Sequence, residues 1–248
     1  QIIIESSFGD SHPGSGHLLE LVEEARAGVA EAGGFGARYF CTDICDGEAQ
    51  GHDGINYSLP SRDMMANMIE IHANATPFDG GVFIASCDKS MPAHLMAVGR
   101  INIPSIIVTG GVMDAGPDLL TLEQIGMYHA MYERGEITKE QMEFYKQHAC
   151  PSCGACSFMG TASTNLTPDR IVTMESFENA IMVHAAISGS TNSLLHIPAI
   201  AKEFGFSIDA DTFDRLHRGA HYLLNIRPAG QWPAQFFYYA GGVPTIME

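Results

Sequence analysis

Short runs of β-branched and aromatic residues alternate along the chain with longer stretches in which apolar residues recur every three or four positions. Strands that alternate with helices favour right-handed crossovers, which predicts an α/β fold: a doubly wound, mainly parallel sheet with helices on both faces. The predicted strands are QIIIESS, ARYFCTDI, GGVFIAS and IPSIIVTGG, and the clearest predicted helices are SGHLLELVEEARAGVAEAGG, SRDMMANMIEIHANA and MPAHLMAVGRIN. The methionine-rich part of the second helix, MMANMIE, is predicted to lie in the core.

Two of the predicted strands run directly into reactive residues. Cys45 and Asp46 follow ARYFCTDI, whereas Cys87, Asp88 and Lys89 follow GGVFIAS. Ligands of doubly wound sheets bind beyond the carboxyl ends of the strands. Thiolates prefer iron–sulfur clusters or zinc, and carboxylates prefer magnesium or manganese. The pattern therefore predicts a site for both kinds of metal, although each cysteine also fits a small buried hydrophobe and each aspartate a turn or cap residue.

A third motif, ACPSCGACSFMGTAS, carries Cys150, Cys153 and Cys156 at C-x2-C-x2-C spacing. Six cysteines in 248 residues are far fewer than a disulfide-stapled scaffold contains, so a reduced, cytoplasmic setting is predicted. Clustered cysteines in that setting indicate metal binding or catalysis.

The charge balance argues against partners that are recognised through phosphate. The chain has 13 Lys and Arg against 29 Asp and Glu, a formal net charge of −16, whereas nucleic acids and anionic membranes require basic patches. The longest apolar runs, such as 103–108, are too short to span a bilayer. We expect neither a nucleic acid nor a membrane as a partner.

Four motifs, spread in order over nearly the whole chain, resemble the family that contains dihydroxy-acid dehydratase, 6-phosphogluconate dehydratase and the sugar-acid dehydratases. They are CDGEAQGHDGINYSLPSRDMMANMIE, SCDKSMPAHLMAVGRINIPSIIVTGGVMDAG, ACPSCGACSFMGTAS and FENAIMVHAAISGSTNSLLHIPAIA. The details GDSHPGSGHL, CDGEAQGHDG and NIRPAGQWPAQFFYYAGGVP look most like the bacterial D-xylonate dehydratase branch.

The resemblance implies a hydro-lyase that uses an iron–sulfur cluster (2Fe-2S or 4Fe-4S) and Mg²⁺ or Mn²⁺. Such an enzyme removes water from a 2,3-dihydroxy acid and leaves a 2-keto-3-deoxy acid. D-xylonate or a similar aldonate is the expected substrate, and branched-chain dihydroxy acids and 6-phosphogluconate are the alternatives. The resemblance also implies a homodimer or homotetramer.

The resemblance assigns roles to individual residues. Cys87 and Cys156 match cluster ligands, and Asp46 and Asp88 match ligands of the divalent cation. Lys89 matches a lysine that the family carbamylates, which agrees with the repulsion that an ammonium group would exert on a cation. A simple ion pair between a surface Lys89 and Asp88 is the alternative.

The third cluster ligand is less well defined. Several relatives have a cysteine after a proline in the first loop, where this chain has Gly14. Cys45 is favoured instead because it adjoins Asp46, and Cys153 or a non-protein ligand are the alternatives.

Four polar residues are candidates for substrate binding. His52 lies in the loop that follows Asp46, and Ser190, Thr191 and Asn192 precede a predicted helix whose first amides suit a carboxylate. An ordinary loop histidine and an ordinary helix cap are the competing interpretations.

The resemblance also sets the predicted domain organisation. Residues 1–165 form an α/β domain with the cluster and cation motifs, and residues 166–248 continue it with the SGSTN helix start. Relatives carry an additional helical segment between Asn165 and Leu166, and they continue beyond GGVPTIME into a β-rich C-terminal domain. That domain holds a further acidic cation ligand and the serine base, so no catalytic base is assigned here. The first residues start as a strand without Met, which suggests that residues precede them.

Two non-enzymatic functions compete with this interpretation. A zinc protein would use Cys150, Cys153 and Cys156, but a structural zinc site needs a fourth ligand. An iron–sulfur protein of redox or sensing function would leave Asp46, Asp88 and Lys89 without a role.

Overall fold

A computed structural model describes residues 1–157, 172–227 and 229–247. Its sheet has four parallel strands, β1 (Ile2–Ser6), β2 (Gly36–Phe40), β3 (Gly80–Ala85) and β4 (Ser105–Thr109), in the order β2-β1-β3-β4. The chain winds from β1 outward to β2 and then crosses to β3 on the other side. The order reverses between β1 and β3, which is the switch point where doubly wound sheets bind ligands. The predicted α/β class is confirmed.

The helices of the described residues follow the strands in the expected alternation. They are α1 (Leu18–Glu31), α2 (Asp46–Ala49), α3 (Ser58–Ala75), α4 (Ser90–Ile101), α5 (Ile125–Glu133), α6 (Lys139–His148), α7 (Met174–Ala186), α8 (Ser193–Glu203), α9 (Ala210–Gly219), α10 (Ala234–Tyr239) and α11 (Gly242–Met247). Short 3-10 turns cover Asp53–Tyr57, Pro117–Leu119 and Leu122–Gln124.

Helices cover both faces of the sheet because side chains alternate along each strand. Ile3 belongs to the larger core with α3 and α4, whereas its neighbour Ile4 packs with Leu18 and Val22 of α1. The same alternation separates Phe83 from Ile84 on β3. The strand residues among these side chains belong to β1 and β3, the two central strands. The switch point therefore lies at the end of the best-packed part of the sheet.

Helix α4 is enclosed by protein. All residues from Ser90 to Val98 are buried, because the sheet lies on one side of α4 and α8 packs on the other. A helix that is apolar all round is expected in such a position. The packing fixes the N-terminus of α4, and with it the segment 87–89.

One core prediction is wrong in part. Of the methionines in MMANMIE, Met65 is buried, but Met64 and Met68 are exposed. Helix α3 buries only the face that carries Met65, Ile69 and Ala73, and the helical period of 3.6 turns the other two methionines outward. Adjacent methionines cannot both face the core from one amphipathic helix.

Residues beyond position 172 pack into the same larger core as α3 and α4, through Phe177 of α7, Ile200 of α8 and Phe213 of α9. The predicted boundary at 165/166 lies outside the described residues, so the division into 1–165 and 166–248 stays a prediction. Within the described part of the chain, no helix combines the length and apolar character needed to cross a membrane.

Candidate metal-binding active site

A cavity of about 430 Å³ opens at the carboxyl ends of the strands and contains most of the predicted site residues. Three cysteines, two aspartates and the SGSTN loop contribute to its wall, together with a few apolar side chains. The lining residues are Ile44, Cys45, Asp46, Gly47, Gln50, Cys87, Asp88, Leu122, Glu123, Cys156, Ser188, Gly189, Ser190, Thr191, Asn192 and Ala229.

Cys87 and Asp88 reach the cavity because they join β3 to α4. The hydroxyl of Ser90 accepts a hydrogen bond from the Cys87 backbone N–H at 3.1 Å and donates to the Cys87 carbonyl at 3.3 Å. Ser90 is fully buried, so it locks this turn in one conformation. The start of α4 lies directly behind both side chains, and a helix N-terminus stabilises negative charge.

Cys45 occupies the corresponding position in the loop after β2. It immediately precedes the short helix α2, whose first turn carries Gly47 and Glu48. The backbone of these two residues partly opposes the effect of burial on the Cys45 thiol, as suits a thiolate that binds a metal.

Cys156 is brought to the cavity by a short parallel bridge between Val112 and Ala155. Met113 N–H donates to the Ala155 carbonyl at 2.8 Å, and Ala155 N–H donates to the Gly111 carbonyl at 2.9 Å. Gly154 is required at the turn because its φ is +124°, and a Cβ would lie 2.7 Å from the Met113 nitrogen. The bridge thus extends the β4 edge of the fold toward the cavity.

The other two cysteines of this motif do not line the cavity. Cys150 and Cys153 are exposed, and neither is among the residues that line the cavity. Cys41 is buried but lies outside the lining as well. The structure therefore brings together Cys45, Cys87 and Cys156, while their role as cluster ligands stays a prediction.

The three thiols fit a cationic metal centre electrostatically. Burial, together with neighbouring cysteines and acids, raises the pKa of Cys156 to about 12 and that of Cys87 further. Burial also raises the pKa of Cys45. Thiols this close together can lose their protons only if a positive ion compensates the charge, which is how metal binding is linked to deprotonation.

Lys89 joins the two aspartates. Its Nζ donates to Asp46 Oδ2 at 2.8 Å and also to Asp88 Oδ2. Burial opposes the positive charge, but the Asp88 charge and both hydrogen bonds raise the pKa of Lys89 overall. Lys89 forms the ion pair with Asp88 that the alternative interpretation predicts. It does so as a buried residue and not on the surface. The ammonium lies where a cation ligand is predicted, so carbamylation would replace a positive charge between two carboxylates with a ligand.

Asp88 is held by a chain of side chains from two helices. His196 Nε2 lies 3.4 Å from Asp88 Oδ2, and Arg62 Nη1 lies 3.3 Å from His196 Nδ1. With Arg62 as the donor, His196 is a neutral ring that donates from Nε2 to the carboxylate. Burial alone would raise the pKa of Asp88, but the His196 hydrogen bond and the Lys89 charge lower it. Asp88 Oδ1 is buried and has no hydrogen-bond partner among the described residues, which fits a metal ligand.

The first loop packs tightly behind Cys87. A Cβ on Gly14 would overlap Cys87 Sγ and lie 2.9 Å from His12 Cε1, so the loop can approach the thiol only with glycine there. Asp43, a buried acid, accepts from Ser15 Oγ at 3.1 Å and lies 3.4 Å from His12 Nε2. Gly14 therefore lies directly beside Cys87, where the present packing leaves no room for a side chain.

The predicted substrate residues differ in their placement. Ser190, Thr191 and Asn192 line the cavity, and His184 Nε2 donates to the Ser190 carbonyl at 2.8 Å. The amides of this turn are largely paired: Asn192 N–H donates to Ser190 Oγ at 3.2 Å and Ser193 N–H to the Ser190 carbonyl at 3.1 Å. Fewer backbone N–H groups of this turn than expected are therefore left to bind a carboxylate. Side chains supply much of the polar surface that the turn presents to the cavity.

His52 is not brought to the cavity. Its Nδ1 accepts from Gly54 N–H at 3.0 Å, and its Nε2 donates to the Glu48 carbonyl at 3.1 Å. One ring nitrogen thus caps the 3-10 turn 53–57 and the other connects the loop to α2, as in the competing interpretation of an ordinary loop histidine.

Several residues of the site were not predicted from the sequence. Glu123 lines the cavity from the 3-10 turn after Thr121, and His196 and Asp43 support the ligand-bearing loops. Glu123 lies inside the pattern TLEQ, in which Thr121 and Gln124 form a capping box. That pattern marks a helix start but does not tell which acidic residue faces a cavity.

The chain is similar in sequence to known proteins along its whole length. The family profile described as dihydroxy-acid/6-phosphogluconate dehydratase N-terminal matches residues 1–166 and 163–248. Dihydroxy-acid dehydratase of Methanosarcina barkeri is 37% identical over 296 positions, covering 100% of this chain and 53% of the relative. The enzymes of the same name from Ruminiclostridium cellulolyticum and Pyrococcus abyssi are each 36% identical, over 99% of this chain and 52% and 53% of their own lengths.

Two features of these matches bear on the organisation of the chain. The chain spans about half the length of the curated relatives it matches. The alignment of 296 positions is also longer than the 248 residues of the chain, and the profile match is divided near residues 163–166. The alignment with this relative therefore includes positions that have no counterpart in this chain. With matches over the whole chain, this protein belongs to the dihydroxy-acid/6-phosphogluconate dehydratase family.

Proposed function

We propose that this chain supplies the metal-binding part of an active site that removes water from a 2,3-dihydroxy acid to give a 2-keto-3-deoxy acid. The observation that carries the proposal is the cavity in which Cys45, Cys87 and Cys156 face Asp46 and Asp88. A redox or sensing function would not require these carboxylates. A zinc site built on Cys150, Cys153 and Cys156 would leave Cys45, Cys87 and the two aspartates without a role, and of its three cysteines only Cys156 lines the cavity.

The donor set suits two different groups. The three thiols would hold an iron–sulfur cluster, and Asp46, Asp88 and a carbamylated Lys89 would hold Mg²⁺ or Mn²⁺. When bound, these groups would supply a Lewis acid for the departing C3 hydroxyl and positive charge beside the substrate carboxylate.

The remaining residues orient the reactants. His196 and Arg62 hold Asp88 in one position, and outer hydrogen bonds of this kind tune metal affinity. Ser190, Thr191 and Asn192 line the cavity, and their polar side chains would contact the substrate carboxylate or hydroxyls. Fixing the C2–H and C3–OH bonds relative to the site lowers the entropic part of the barrier.

The substrate class follows from two lines of support. The relatives named dihydroxy-acid dehydratase favour a 2,3-dihydroxy acid in general. D-xylonate, which has further hydroxyls, is the second candidate because Gln50, Glu123 and the SGSTN loop make much of the cavity wall polar. A site that hydrogen-bonds hydroxyls discriminates strongly against analogues that lack them.

The test uses the complete protein, prepared without oxygen and loaded with iron, sulfide and magnesium. It would receive 2,3-dihydroxyisovalerate, D-xylonate and 6-phosphogluconate in parallel, and keto-acid formation would be measured. We expect turnover of at least one substrate, and the highest kcat/KM identifies the class. If none of the three yields a keto acid while the cluster is intact, the dehydratase proposal is wrong. A reversible redox couple under those conditions would favour an electron-transfer or sensing function.

A further inference from the structure

A second group of metal-ligand side chains lies in the core, outside the cavity. Glu5 comes from β1, Cys41 directly follows β2, and His72 lies in the last turn of α3. One potential ligand atom from each residue lies within 4.8 Å of those of the other two. None of the three residues lines the candidate active site.

The carboxylate of Glu5 is the centre of this group. Its side chain is completely buried, and a buried carboxylate is costly unless both oxygens are paired. Oε1 accepts from Cys41 Sγ at 3.3 Å, and Oε2 lies 2.9 Å from His72 Nδ1. Burial raises the pKa of Glu5 and, with the Glu5 charge, that of Cys41. A cation bound between them would compensate the negative charge that burial disfavours.

The chemistry of the three donors is specific. One thiolate and one carboxylate carry two negative charges and the imidazole is neutral, so a divalent ion would give a buried centre without net charge. Sulfur, nitrogen and oxygen donors together suit Zn²⁺, which has no strong preference among them.

The surroundings also suit a bound ion. The Tyr39 ring lies 4.7 Å from the His72 ring and restricts its orientation. Glu5 and Cys41 are closed off from solvent, but the His72 side chain is 19% exposed, which leaves a path for an ion to enter.

We propose that Glu5, Cys41 and His72 bind one divalent ion of the zinc class, with solvent as the fourth ligand. The ion would join β1, β2 and α3 beneath the loops that carry Cys45 and Asp46. This site is independent of the proposed dehydratase function, and either proposal can fail without the other.

The first test locates the ion directly. Crystals of the cluster-loaded protein would be equilibrated with Zn²⁺, and anomalous scattering would be measured on both sides of the zinc absorption edge. We expect a zinc peak between Glu5, Cys41 and His72. The absence of a peak at this position under saturating zinc would mean that the three residues form only a hydrogen-bonded network.

The second test counts the ion. Cys41→Ala and His72→Ala should each lose about one equivalent of zinc and the zinc-induced rise in Tm, whereas the exposed-cysteine control Cys153→Ala should keep both. If Cys41→Ala retains the full zinc content, the proposal fails. Should the variants not fold, the anomalous map of the unmodified protein still decides the question.

Discussion

Asp88 uses its two carboxylate oxygens differently. Oδ2 interacts with Lys89 and His196, whereas Oδ1 is buried without a partner among the described residues. Asp88→Asn should keep the fold and the visible absorption of the cluster but abolish turnover, because it removes the charge that faces the cation. The exposed substitution Asp53→Asn is the matched control and should leave turnover unchanged. Loss of the cluster together with turnover in Asp88→Asn would show that the cluster and cation sites are not separable.

The cysteines allow a similar comparison. Cys87→Ser or Cys156→Ser should remove most of the visible cluster absorption, because both thiols face the cavity. Cys41→Ser should keep that absorption, since Cys41 contacts Glu5 in the core instead. Iron and sulfide analysis of the three variants provides the check. Equal bleaching in Cys41→Ser and Cys156→Ser would overturn the assignment of the ligands.

His94 makes stability depend on pH. It is fully buried in α4, its Nδ1 donates to the Ser90 carbonyl at 2.7 Å, and burial lowers its pKa from 6.5 to about 4. The unfolded chain binds a proton near pH 6.5 but the folded chain does not. The contribution of His94 is therefore complete above pH 6.5 and is lost as the pH falls toward 4. Linkage gives a loss of about 3 kcal/mol over this range.

The measurement is urea unfolding at several pH values between 7 and 4. His94→Asn keeps a donor for Ser90 but cannot titrate, so its free energy of unfolding should fall less steeply with decreasing pH. Exposed His129→Asn should retain the unmodified slope. Identical slopes for all three proteins would contradict a neutral, buried His94.

At the scale of elements, the loop after β1 and helix α1 offer two glycines with opposite environments. A Cβ on Gly14 would overlap Cys87 Sγ, whereas a Cβ on Gly28 in α1 would meet no atom within 4 Å. Gly14→Ala should therefore lower the free energy of unfolding by about 1–3 kcal/mol and weaken cluster binding. Gly28→Ala should raise it by about 0.5–1 kcal/mol, because alanine favours a helix interior. Denaturant unfolding of both variants is the check, and a neutral Gly14→Ala would show that the loop can move away from Cys87.

The elements were predictable where one local pattern determined them. The apolar runs before Cys87 and before Gly110 became β3 and β4, and the helical periodicity after Gly16 became α1. Local patterns say less about which face of an element is covered. Met64 and Met68 were predicted to be buried but are exposed, because no described element packs on that side of α3. His52 could be placed in the correct loop, but its use as a cap depends on the turn geometry.

For the whole molecule, the motifs and the strand ends identified the cysteines and aspartates that line the cavity, because parallel strands carry their loops to one edge of the sheet. The supporting contacts were beyond sequence reasoning. His196 reaches Asp88, and His72 reaches Glu5, across 108 and 67 residues of the chain. Such pairs depend on how α8 and α3 pack against the sheet and leave no periodic signal.

The three cavity cysteines lie on loops that are far apart in the chain. A centre bound to Cys45, Cys87 and Cys156 would close segments of roughly 40 and 70 residues, and cross-links of that length disfavour the unfolded chain by about 4 kcal/mol each. Oxidative loss of the centre would then remove a stabilising cross-link as well as a catalytic group. The damaged protein would unfold more often and be degraded sooner. Exposure to air would therefore limit the lifetime of the folded protein as well as its turnover.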